Sequence, residues 1–205
     1  MLIKIDPESP NSNHIDRVVG FLKSEKVIAY PTDTVYGIGC ELSNRKGIER
    51  IYQMKHLSRH KPLSLICKDL KEISQYAVLS NQAHKLMKRL LPGPYTFILK
   101  ATREVPKLVL TNQRTVGVRI PDNKICLSVA QNLDYPLINT SALTSDNEFL
   151  SDPVEIDKKF GFSLDLVVDG GLLISDPSTI LDLTQDTVQV VREGKGSLDF
   201  LMTKT

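Results

Sequence analysis

A chain of 205 residues, 41% hydrophobic and 24% charged, has the composition of an ordinary globular protein with enough apolar residues for a substantial core. No run approaches the roughly 20 consecutive apolar residues of a membrane-spanning helix, which excludes that class. Net charge is only +2, but residues 73–103 hold no Asp or Glu while carrying Lys85, Lys88, Arg89, Lys100 and Arg103; this fits either an anionic partner or solvated helix faces.

The opening stretch MLIKIDPESPNSNH lacks the apolar segment and small-residue cleavage site of a secretion signal, so a cytoplasmic protein is expected. HIDRVVGFL then sets Ile15, Val18, Val19 and Leu22 on one helical face, and KVIAY reads as a short buried strand stopped at Pro31. RKGIERIYQMK is helical by the spacing of Ile48, Ile51 and Met54, PLSLIC is a strand, and SNQAHKLMKRLL is a helix closed by Pro92-Gly93-Pro94. Strands follow at YTFILK and TVGVRI, a helix at NKICLSVAQNL, a strand at YPLINT and a short helix at SDPVEIDKKF with Pro near its start. LDLVVDGG, STILDL and VQVVRE close the chain as strands. Helices and strands alternate early and strands cluster late, predicting one α/β domain over 1–205 built on a mixed sheet.

Familiar phosphate loops do not fit. No G-x-x-x-x-G-K-[ST] run occurs, and the third glycine of a dinucleotide fingerprint is replaced by Leu42. Gly37 and Gly39 in YPTDTVYGIG therefore read as a close backbone approach within a strand. In the same stretch Thr32, Asp33 and Thr34 could serve a ligand, Asp33 an ammonium or a metal, or could form an Asx or Ser/Thr turn. The three cysteines form no CxxC pair and read as small buried residues, with no structural zinc expected. Three of the four histidines sit among lysines and arginines, where solvent exposure is expected. No H-E-x-x-H or G-x-S-x-G motif supports a hydrolytic nucleophile, and no catalytic side chain is assigned. Thr115, Arg119, Asn139, Ser141, Ser178, Thr179 and Arg192 fall at predicted strand ends, where ligand crevices form in α/β sheets. Arg119 and Arg192 could each grip carboxylate or phosphate in a bidentate manner.

Seven stretches, in order, resemble the YrdC/YciO family, which includes the threonylcarbamoyl-AMP synthases. They are YPTDTVYGIGC (30–40), IYQMKHLSRHKPLSLI (51–66), LPGPYTFILK (91–100), TVGVRIP (115–121), LINTSAL (137–143), PSTILDL (177–183) and VVREGKG (190–196). The resemblance implies a strongly twisted mixed sheet flanked by helices, with a concave basic cavity. It implies ATP, L-threonine and bicarbonate as substrates, magnesium carried with ATP, and a link to tRNA threonylcarbamoyladenosine. Binding of double-stranded RNA is also attributed to the fold. Carried over by motif, Thr32, Arg119 and Ser178 would face threonine, and Lys55, Lys61, Thr115, Ser141 and Arg192 the nucleotide. Two positions depart from the synthase pattern. The arginine of K-x-R is Leu57, for which Arg59 could substitute, and the asparagine of S-x-N is Leu143. Both departures resemble the YciO branch, where nucleotide or RNA binding without synthesis is the alternative.

Overall fold

The structure, a computed structural model, describes residues 1–56, 62–144, 146, 148–174 and 176–201. Its helices are α1 (Ser12–Lys23), α2 (Arg45–Met54), α3 (Leu70–Tyr76), α4 (Asn81–Leu90), α5 (Lys124–Gln131) and α6 (Pro153–Phe160). Asn11 starts α1 by accepting a hydrogen bond from the Asn13 N–H, a cap worth about 1 kcal/mol. The stripe expected from the sequence, Ile15, Val18, Val19 and Leu22, is the buried face of that helix. Full burial of each such side chain contributes about 1.5–3 kcal/mol. α1 lies against α5, and together they cover Ile28, Leu166 and Val168 of the sheet.

The strands are β1 (Leu2–Lys4), β2 (Ile28–Tyr30), β3 (Gly37–Gly39), β4 (Ser64–Ile66), β5 (Tyr95–Lys100), β6 (Thr115–Arg119), β7 (Leu137–Ser141), β8 (Leu166–Asp169), β9 (Thr179–Asp182) and β10 (Gln189–Arg192). They join one sheet in the order β1-β8-β2-β3-β7-β4-β6-β5-β9-β10. β1–β8, β2–β8, β4–β6 and β5–β9 run parallel and the other neighbours antiparallel, so the sheet is mixed as expected. A second core, with Ile48 and Ile51 of α2, Ile73 of α3 and Met87 of α4, packs on Leu65, Phe97 and Val118. With a buried layer on each side, the central strands have almost no exposed apolar residue.

Two elements have no counterpart in the periodicity reading. β1 is three residues long, too short to show a period, and gains its place only by pairing with β8 from the far end of the chain. α3 spans seven residues, and its signal is a pair of capping carboxylates rather than a stripe. Asp69 Oδ1 accepts from the Glu72 N–H at 2.7 Å, and Glu72 Oε2 accepts from the Lys68 N–H at 2.8 Å. Cys40, Cys67 and Cys126 are buried free thiols, and His14, His56 and His84 are exposed, as expected; His60 lies outside the described residues. Among the described residues no helix is long and apolar enough to cross a membrane.

Candidate ligand cavity

Strand alternation builds the cavity. Along TVGVR, Val116 and Val118 enter the core, while Thr115, Gly117 and Arg119 turn to the opposite face. Register then places Ser64 of β4 and Ile98 of β5 on either side of Gly117, and Asn139 of β7 beside Ser64. With Thr96, Ser141, Leu143, Phe149, Ser178, Ile180 and Arg192 these residues bound a hollow of about 310 Å³. Among its described lining residues only Arg119 and Arg192 are ionisable, so the lining is basic, as expected.

Arg119 is almost wholly buried, and its two side-chain hydrogen bonds both leave from Nη2. One goes to Asp33 Oδ1 and the other to Thr34 Oγ1, each 2.9 Å long. The two Nη2 protons are therefore committed, and Nε is buried with no acceptor. A bidentate grip on a ligand, anticipated from the sequence, would require Arg119 to release one of these partners. Asp33 is equally enclosed: its Oδ2 accepts from the Asp122 N–H at 3.1 Å, and its side chain is 6% exposed. It is thus the counterion of Arg119 and not a free site for an ammonium or a metal. Removing either partner of such a pair costs about 3–5 kcal/mol, because the other charge stays buried.

Thr32 is buried behind this wall and is not among the residues lining the hollow. Its Oγ1 donates to the Val35 carbonyl at 2.6 Å and accepts from the Thr34 N–H at 3.1 Å, so the Ser/Thr turn reading describes its local geometry. Thr34, which the sequence reading had not given a separate role, carries the contact to Arg119. Gly37 and Gly39 do mark a close approach: a Cβ on Gly39 would sit 1.8 Å from the Ile138 carbonyl oxygen.

At the other end, Arg192 straddles Ser178. Its Nε and Nη2 donate to the Ser178 carbonyl at 3.1 and 2.8 Å, and Nη2 reaches Ser178 Oγ at 3.2 Å. Ser178 Oγ also shares a 2.8 Å hydrogen bond with Thr96 Oγ1. A register shift between Val190 and Arg192 interrupts the β9–β10 pairing beside this arginine. Burial, then the Arg119 charge, lower the Arg192 pKa from its ordinary value. Thr115 joins its Oγ1 to Thr111 Oγ1 at 2.7 Å, and both threonines line the hollow. Thr179 faces away from it: its hydroxyl donates to the Gly196 carbonyl and accepts from the Gly194 N–H, which fastens the segment after β10 to β9.

Lys55, the residue that ends α2, reaches the rim. Its Nζ donates to Thr140 Oγ1 at 3.1 Å and to the Ser141 carbonyl. Lys61, Arg59 and Leu57 lie outside the described residues. Leu143 lines the hollow, so the departure from S-x-N falls on the cavity wall itself. Sequence reasoning did not single out Ser64, Thr96 or Thr140 as ligand-facing, although in TVGVR and YTFILK the alternation that exposes this face could be read. Among the described residues no group of three or more His, Cys, Asp or Glu side chains could hold a metal ion.

The family model described as "Telomere recombination", covering Sua5, YciO and YrdC, matches residues 20–194. The chain is 40% identical over 196 residues to "Uncharacterized protein YciO" of Escherichia coli (strain K12), covering 95% of each chain. The crystal structure of E. coli YciO superposes with a TM-score of 0.92 at 38% identity over 97% of both chains. A putative threonylcarbamoyl-AMP synthase of Methanocaldococcus jannaschii is 37% identical over 189 residues, 90% of this chain and 89% of that one. The crystal structure of Pyrococcus abyssi Sua5 complexed with L-threonine gives a TM-score of 0.92 at 27% identity, covering 98% of this chain and 59% of the longer Sua5 chain. Motif order, sheet and relatives agree, and the chain belongs to the Sua5/YciO/YrdC family.

Proposed function

We propose that the cavity binds L-threonine and ATP and supports threonylcarbamoyl-AMP synthesis with bicarbonate, the step that feeds threonylcarbamoyladenosine formation in tRNA. The observation that carries this reading is the lining: hydroxyls and two arginines converge on about 310 Å³, with no carboxylate among the described lining residues. Such a wall suits anionic substrates and a transition state that gathers negative charge. That the threonine-complexed Sua5 shares the fold supports it.

In this reading Arg119 offers positive charge to the threonine carboxylate, with Ser178 beside it and Thr32 shaping the loop behind. Lys55, Lys61, Thr115, Ser141 and Arg192 serve the nucleotide, with Lys55 and Lys61 toward the phosphates and Arg59 as the substitute for the motif arginine. The amine condenses with bicarbonate to a carbamate with loss of water, and a carbamate oxygen displaces pyrophosphate from the α-phosphate. Alignment and charge stabilisation drive this reaction, an ATP-dependent nucleotidyl transfer, without a protein nucleophile. Magnesium would travel with ATP, held by phosphate oxygens and water.

Incubation of the protein with ATP, L-threonine and bicarbonate should yield threonylcarbamoyl-AMP and pyrophosphate in equal amounts. Leu143 on the cavity wall favours a second reading, in which the protein binds nucleotide or double-stranded RNA without turnover. That reading stands if no product forms at high protein concentration while RNA binding is measurable and weakens as salt rises.

A further inference from the structure

The loop between β2 and β3 brings one carboxylate, Asp33, into contact with the cavity arginine, and three other groups fix that loop. Asp122 donates its N–H to Asp33 Oδ2, Lys195 donates from Nζ to the Asp33 carbonyl at 2.6 Å, and Asn123 Nδ2 reaches the Thr32 carbonyl at 3.4 Å. These groups come from the β6–α5 connection and from the segment after β10, so the loop is held from two distant parts of the chain. Asp33 Oδ1 then takes one Nη2 proton of Arg119, and Thr34 Oγ1 takes the other. Thr34 is itself anchored, since its N–H bonds to Thr32 Oγ1 and the two hydroxyls lie 3.0 Å apart.

A guanidinium fixed through one nitrogen cannot rotate about its long side chain, and its remaining donors keep a set direction. One of them, Nε, is buried without an acceptor on a residue that lines the hollow. A buried donor left unsatisfied is unfavourable.

We propose that Asp33 is a positioning residue: it holds Arg119 in the one orientation that recognises a substrate carboxylate, and so sets the preference for an α-amino acid over the amide that lacks the carboxylate. The proposal rests on the reading of the cavity as a threonine site, and it assigns the aspartate of the T-D-T stretch a role that acts through Arg119 without touching substrate. The ion pair also cancels the Arg119 charge locally. Discrimination then comes from the direction of the donors more than from net attraction, and long-range pull on anions falls to Arg192 and Lys55.

The test combines nitrogen-15 spectra of arginine Nε–H groups with calorimetry on the full chain. In the native protein one Nε–H, assigned by its loss in Arg119→Lys, should be protected from exchange, and L-threonine but not L-threoninamide should shift it. Asp33→Asn should lose that protection and weaken L-threonine binding about 10- to 100-fold, while leaving ATP binding within about twofold and L-threoninamide binding unchanged. Protection that persists in Asp33→Asn overturns the proposal whatever threonine does. So does a parallel loss of threonine, threoninamide and ATP binding, the pattern of a purely structural role. If Asp33→Asn frees Arg119 while threonine never shifts its signal in the native protein, positioning by Asp33 is supported and the threonine reading fails. Should Asp33→Asn not fold, Asp33→Glu keeps the charge and moves it by one methylene. It should also lose the preference for threonine over threoninamide, and native-like preference in that variant overturns the proposal.

Discussion

Leu143 and Phe149 face each other across an isolated antiparallel bridge, and both line the ligand hollow. The pair makes one end of the cavity apolar, at the position where the synthase pattern carries an asparagine. A leucine there offers no donor to a phosphate or a carbamate. Leu143→Asn is expected to raise pyrophosphate release in the presence of ATP, threonine and bicarbonate by about 10- to 100-fold, the worth of one hydrogen bond to a charged group. Unchanged or lower turnover in a folded variant would show that this wall does not limit the chemistry.

Lys55 and Arg192 approach the hollow from its two sides, one bonded at Ser141 of β7 and the other at Ser178 just before β9. Lys55→Ala and Arg192→Ala should each weaken ATP binding about tenfold or more in calorimetry. Arg192 sits on the exposed strand β10, so its replacement should move the urea midpoint little. If ATP affinity survives Lys55→Ala, the phosphates lie elsewhere in the cavity.

Gly39 has no room for a side chain, because the Ile138 backbone occupies the place of its Cβ. Gly39→Ala must push β3 away from β7, breaking a ladder at the centre of the sheet. We expect a loss of at least about 2–3 kcal/mol in urea denaturation. Gly20→Ala on α1, where a Cβ meets nothing within 4 Å, serves as the control and should be neutral or slightly stabilising.

Burial raises the Cys40 and Cys126 thiols from 9.0 to about 12 and drives Cys67 upward as well. Between pH 9 and 12 the unfolded chain has released these protons while the folded protein keeps them. Stability is therefore fully present below pH 9 and falls as pH rises, by up to about 1.4 kcal/mol per pH unit for each group. Denaturation midpoints at pH 7, 9 and 10 should show the decline beginning above pH 9. Thiol reagents at pH 8 should label the cysteines only after unfolding, and rapid labelling of the native protein would contradict their burial.

Much of this architecture could be read from local pattern. Ile15, Val18, Val19 and Leu22 had to share a helix face, and that face is the buried one. The short apolar and β-branched segments at 64–66, 95–100 and 115–119 read as strands, and they are. The cavity was harder, because its residues meet through pairing register and not through spacing along the chain. Ser64 alone is an unremarkable hydroxyl; it becomes part of a wall only when β4 lies between β6 and β7 and sets it beside Gly117 and Asn139. Thr32 is a different case: the resemblance sets it toward the ligand, and the structure shows its hydroxyl bonded to Val35 and Thr34 within its own turn. The pairing of Asp33 with Arg119 spans 86 positions and leaves no local trace in the sequence.

The floor of the hollow is Gly117, a position defined by what it lacks. A methyl group added there would rest 3.4 Å from Ser64 Cβ and Thr96 Cγ2, an ordinary contact that asks nothing of the backbone. Capacity can therefore be reduced at this one position while every charged and hydroxyl group around it stays in place. Ligand size and ligand chemistry are in that sense separate dials on this sheet, and relatives could diverge in what they admit without changing how they hold it.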